Sequence, residues 1–191
     1  MNTKTLASLV LIFALTPFQT MAFIQDGAKF QPDSTVSNPR FNSKGHVQPG
    51  VESGEYRGKY YEISSDGVGY MAHWRISCQS DAMTDKRTCL VASKNLFLLV
   101  GVQGVEQVVV GYDHSPGSTV SIRIDDEKPY VSSAKGWSGP AAIKLFVALA
   151  ASAKASFRFV RWPDQAPTDA FMQTIGITEA VDLARWAATT K

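Results

Sequence analysis

The 191-residue chain has only two cysteines and three histidines. It also has no apolar run long enough to cross a bilayer, whose core needs about 20 such residues. Each shortage excludes something. Two cysteines, Cys78 and Cys89, cannot supply a four-cysteine zinc site or a dense disulfide scaffold. The histidines, His46, His73 and His114, are scattered. They lack the spacing with further Cys or His that a metal centre needs, so no metal and no cofactor is expected. There is no Gly-x-Ser-x-Gly elbow, phosphate loop or dinucleotide fingerprint. The longest interior apolar stretch, residues 141–153, is short and interrupted by Lys144. Lys and Arg total 19 against 17 Asp and Glu, for a formal charge of +2, and form no basic stripe. Nucleic acid is therefore not an expected partner.

What the chain does have begins at its first residues. Lys4 precedes an apolar run over residues 6–15, and Pro17 breaks that run. Thr20-Met21-Ala22 then places small residues three back and one back from a cut after Ala22. This is the three-part pattern of a secretory signal peptide, so residues 1–22 are expected to be removed on export. No cysteine follows the cut, which argues against a lipid anchor. No membrane span is expected in the mature chain, whose length suits one domain.

Export decides how to read the two thiols. In an oxidising compartment a pair usually closes into a disulfide. Ten residues separate Cys78 from Cys89, whereas a redox-active pair normally has two. Trp74, Ile76 and Cys78 alternate with polar residues, and alternation resumes from Cys89 after a polar loop. Two adjacent strands stapled across the loop are expected.

Residues 23–58 are polar and rich in Pro and Gly, and are read as an extended arm with little regular structure. Phe23, Phe30 and Phe41 are its candidate anchors. Residues 59–191 are read as one β-rich domain. Strands are expected at 56–63, 68–78, 89–93, 95–102, 107–113, 119–125, 129–134, 155–162 and 170–175. The turns include residues 64–67, Gly104 to Glu106, and the Pro116-Gly117 segment. One helix is expected after Pro140, capped by Ser138, and another from Thr178 to about Ala188. Short connections favour antiparallel pairing. The fold class expected is mainly β: an antiparallel β-sandwich or bent sheet, with two helices in the C-terminal third.

No catalytic set emerges. Asp113-His114-Ser115 are adjacent on a turn, where neighbouring side chains diverge. Asp125-Asp126-Glu127 is followed directly by Lys128 and Pro129, which suits a hairpin turn better than a calcium loop. Trp74 and Trp186 are assigned to the core. Trp137 and Trp162 sit near turns between polar neighbours. With Arg161 beside Trp162, they are the candidate ligand-facing residues.

The segments WRISC, RTCLVAS, SIRID, GPAAIKLFVALAASAKASFRFV and TIGITEAVDLARW, in that order, resemble the layout of the invasion-associated locus B family. Trp74, Cys78, Cys89, Ile124, Asp125, Gly176 and Ala180 occupy the matching places, over residues 71–188. Family members often carry a second cysteine pair before the helix, and this chain has none near residues 133–136. The resemblance implies a periplasmic or envelope-associated protein of a Gram-negative bacterium, linked in some bacteria to host-cell invasion. It implies no catalytic residues. The expected function is a non-enzymatic module binding an envelope protein or surface ligand. The alternatives are a small exported hydrolase with a site assembled from distant residues, or an assembly protein docking through the 23–58 arm.

Overall fold

The computed structural model describes residues 30–38 and 50–189. The segment read as a signal peptide, Phe23, Phe41 and His46 lie outside the described residues. Eight strands follow one another as an antiparallel meander. They are β1 (Ser34–Asn38), β2 (Val51–Tyr56), β3 (Lys59–Ser64), β4 (Val68–Met71), β5 (Trp74–Ser80), β6 (Arg87–Ser93), β7 (Leu96–Gly101) and β8 (Gly104–Val110). The chain then leaves for β9 (Thr119–Ile124) and β10 (Tyr130–Ser133), and returns with the short β11 (Trp137–Ser138) at the β8 edge. Helix α1 (Pro140–Ala150) leads to β12 (Lys154–Val160) and β13 (Pro167–Gln173), and α2 (Ile177–Thr189) follows. The result is a nine-stranded sheet, β1 to β8 plus β11, and a four-stranded sheet in the order β10-β9-β12-β13. Every pairing is antiparallel. The expected mainly β fold with two C-terminal helices is what forms.

Period-two alternation decides which side chains face inward. Trp74 and Ile76 of β5, Cys89 and Val91 of β6, Leu96, Leu98 and Val100 of β7, and Val108 and Val110 of β8 are all buried. Helix α2 lies on this inner face, against β4 to β8. It can sit close because Ala180, Ala184, Ala187 and Ala188 supply much of its buried surface. The indole N–H of Trp74 donates to the Ile175 carbonyl at 2.9 Å, fixing the entry to α2 over β5. Helix α1 packs on β8 and β11, and the small sheet meets the large one at β8. Val120, Ile122 and Ile124 of β9 and Ala155, Phe157 and Phe159 of β12 face the same continuous core.

The cysteine pair is a disulfide directly across β5 and β6, with Cα atoms 3.9 Å apart. The Cys78 amide donates to Gly67 on the β4 side. The cysteines therefore form a non-hydrogen-bonded pair, the closer of the two antiparallel spacings. Gly67 packs against the bridge at φ 87°, and a Cβ there would sit 2.7 Å from the Cys78 Cβ.

Several boundaries differ from the sequence reading. The region read as an arm contributes β1 and β2, and the β2–β3 hairpin crosses the boundary expected between residues 58 and 59. Ladders from β1 to β2 and from β2 to β3 hold this region, and Phe30 anchors its start. Its ring packs 4.7 Å from Tyr56, 5.2 Å from Tyr61 and 5.4 Å from Trp186, centroid to centroid. The stretch 56–63 is split by a turn at Arg57-Gly58, both with positive φ. The stretch 68–78 is split at Ala72-His73, with Ala72 at φ 52°. Gly104 and Glu106 belong to β8, and the turn falls at Val102-Gln103. Gly139, not Ser138, is the N-cap of α1, and it makes no side-chain cap bond. The last strand starts earlier than expected, at Pro167, because the first position of an edge strand tolerates proline.

One buried charge stands out. Asp182 of α2 accepts from the Tyr56 hydroxyl at 3.0 Å and pairs with the half-exposed Arg57 guanidinium at 3.2 Å. Burial pushes its carboxyl above the ordinary aspartate range, against the opposing pull of Tyr56, Arg57 and Arg185. Burial, reinforced by Asp182, pushes the Tyr56 hydroxyl up to about 12. The folded Asp182 binds its proton more tightly than the unfolded one, so its contribution to stability falls as pH rises from about 4 through the raised pKa. Asp182→Asn keeps an acceptor for Tyr56 and removes the titration. Denaturant titrations across acidic to neutral pH are expected to show the stability of the wild type falling relative to that of the variant as pH rises through that range.

Candidate functional site

The outward face of the small sheet carries an open, mixed polar and aromatic surface. Alternation in β9 and β12 turns Val120, Ile122, Phe157 and Phe159 inward, and must turn Ser121, Arg123, Ser156 and Arg158 outward. Register then sets the neighbours. Arg123 lies opposite Ser156, and Ser156 lies opposite Phe171 of β13. One step along, Val131, Ser121, Arg158 and Asp169 form a second row across all four strands. Between these rows lies an open depression of about 480 Å³. Ala170, Ser121 and Ser156 are its shortest side chains, and Arg123, Arg158 and Phe171 stand around them.

The electrostatics of this surface are uneven. Arg158 and Asp169 form a two-pronged pair, with nitrogen–oxygen distances of 2.6 and 2.7 Å. The Arg158 hydrogen bonds hold the Asp169 carboxyl below the usual aspartate range. Arg123 donates from Nε to the Glu127 carbonyl at 3.0 Å, and among the described residues no carboxylate pairs with it. Phe171 is 62% exposed. The Lys94 ammonium lies 5.2 Å from the Phe171 ring centroid and donates to the Phe171 carbonyl at 3.2 Å. The surface thus offers an exposed ring, two cations without carboxylate partners, hydroxyls and a neutralised pair. Asp169 is expected to titrate below ordinary aspartates in a carboxyl NMR titration, and to return toward them in Arg158→Gln.

A second cluster sits where the β8–β9 and β12–β13 connections meet. His114 and Arg161 form an isolated antiparallel bridge, which puts their side chains on one face. The Arg161 guanidinium lies 4.7 Å from the Tyr112 ring centroid, and the His114 ring meets Phe159 edge-on at 6.0 Å. Both His114 ring nitrogens and the Arg161 Nε are buried without a hydrogen-bond partner. The Ser115 hydroxyl donates to the carbonyls of Arg161 and Asp164 instead of engaging His114. Asp113-His114-Ser115 therefore forms no proton relay.

The residues singled out from sequence separate in space. Trp137 is 9% exposed and lies opposite Val108 at the edge of the large sheet, within the core. Arg161 belongs to the His114 cluster, and Trp162, beside it, is 59% exposed. Asp125 serves the turn: its carboxylate accepts from the amides of Ala153 and Lys154, joining the end of β9 to the start of β12. Among the described residues, no three His, Cys, Asp or Glu side chains converge as a metal site would require. Sequence reasoning did not single out Arg123, Arg158, Asp169 or Phe171. Their outward phase was readable in the alternation, but their adjacency was not.

Fold and surface together define a disulfide-stapled, two-sheet β protein with two helices and a mixed polar and aromatic groove on its smaller sheet. Comparisons with protein-family models, curated proteins and solved structures return no match for the chain.

Proposed function

We propose that this is an exported, envelope-associated binding module without catalytic activity, and that it engages its partner through the outward face of the small sheet. The observation that carries the reading is the groove. An exposed aromatic ring and several charged side chains are held in fixed register on a sheet, where backbone hydrogen bonding keeps them in place. A large exposed apolar side chain among such groups is a recurrent mark of contact surfaces. Export is supported by the signal-peptide pattern and by a disulfide suited to an oxidising compartment. The resemblance to the invasion-associated locus B family supports the periplasm or envelope as the setting, with an envelope protein or a surface ligand as partner.

The test uses the protein immobilised against an envelope extract, beside an Arg123→Glu/Phe171→Asp variant. Both positions are exposed, so the variant is expected to fold with little loss of stability. A component retained by the wild type and lost, or reduced at least about tenfold, with the variant is the expected result. Retention that is indifferent to the groove overturns the assignment.

A further inference from the structure

The chemistry of the groove narrows what can occupy it. The groove lies on the face of the sheet over β9 and β12, whose amides and carbonyls are committed to ladder bonds, so an occupant of the groove itself is not held by strand addition, which only the outer edges of β10 and β13 leave open. Recognition has to come from side chains. Ser121 and Ser156 present hydroxyls at the base, which suit a hydroxyl-bearing ligand better than an apolar side chain. Phe171 presents a flat apolar surface beside them. Arg123 and Lys94 carry positive charge without carboxylate partners among the described residues, while Arg158 is already neutralised by Asp169. The surplus is positive and borders an exposed ring. Its volume of about 480 Å³ falls within the ordinary range for small-ligand sites.

A ligand complementary to all of this has a rigid ring with an apolar face, several hydroxyls and a negative charge. We propose that the groove binds an acidic oligosaccharide, with a sugar ring against Phe171, its carboxylate paired with Arg123, and its hydroxyls bonded to Ser121, Ser156 and the free lone pairs of Asp169. This rests on the reading of the groove as the contact surface. The Arg123 fork matches a carboxylate in geometry as well as charge. The Asp169 carboxylate, held in place by Arg158, is an acceptor for sugar hydroxyls.

The experiment titrates isotope-labelled protein with a short oligogalacturonate, its methyl ester, and an oligoglutamate of similar charge. Saturable amide shifts centred on Ser121, Ser156 and Phe171 are expected with the oligogalacturonate. Esterification should weaken them about tenfold or more, because it removes the charge and keeps the rings. Arg123→Gln and Phe171→Ala, each with an otherwise unchanged spectrum, should weaken binding by a similar factor. Equal response to oligoglutamate would mean undirected charge attraction and overturns the proposal, as would full binding by both variants. The absence of any saccharide response overturns it too. In that last case the extract experiment still discriminates. Groove-dependent retention would leave the module standing with a different ligand, and its absence would remove both.

Discussion

Trp74→Ala is expected to cost about 3–5 kcal/mol of unfolding free energy. In a domain of this size the melting temperature should fall by roughly 10 °C. Trp74 is the largest of the fully buried side chains, and it lies on the inner face of β5 where α2 crosses. Its removal leaves a cavity between two layers that cannot close independently, because β5 is held by β4 on one side and by β6 and the disulfide on the other. The indole also donates to the Ile175 carbonyl, so alanine loses an anchor as well as volume. Trp74→Phe separates the two effects. Keeping an aromatic ring and losing only the N–H and part of the volume is expected to cost about 1–2 kcal/mol. Urea titrations of both variants check this. A loss under about 1 kcal/mol for alanine would mean that α2 does not depend on this contact.

The second large effect belongs to the disulfide. Cys78 and Cys89 are 11 residues apart in sequence, so closing the loop restricts the unfolded chain by about 2–3 kcal/mol in the chain-entropy model. Replacing both with alanine is expected to lose that amount, plus a smaller packing loss at the fully buried Cys89. The register of β5 and β6 does not depend on sulfur alone, since five further residue pairs align the two strands. The alanine variant should therefore keep the native fold, with an unchanged far-ultraviolet spectrum and a lower denaturation midpoint. Reduction of the wild type should produce a similar shift. A variant as stable as the wild type would remove the staple from the account of stability.

The sequence made some elements plain and hid others, for physical reasons. In β9 the alternation of Val120, Ile122 and Ile124 with Ser121 and Arg123 specified both the strand and its buried face. The cysteine pair specified a neighbour relation as well, because a covalent bond fixes a distance that periodicity cannot. The turn at Ala72-His73 was hidden because it contains no glycine, proline, asparagine or aspartate. Its one trace is a phase slip: Met71 and Trp74 are both buried although three positions apart, which an unbroken strand does not allow. The arm looked structureless because most of its side chains are polar. A single buried ring, Phe30, is enough to seat the segment before β1. The groove was the least legible feature. Arg123, Ser156 and Phe171 come from three separate strands, and only the register across β9, β12 and β13 makes them neighbours.

The position of α2 has a consequence for how the molecule is made. The helix supplies much of what fills the hollow of the large sheet, yet it is encoded by residues 177–189, after every strand. Synthesis runs from the other end, so the meander emerges with its oily lining uncovered. Hairpins can pair as they appear, since each strand bonds to the one just made, but the bowl stays empty until its plug is delivered. A message cut short before that point yields a sticky fragment destined for proteases or aggregates, and not a smaller working version of the protein.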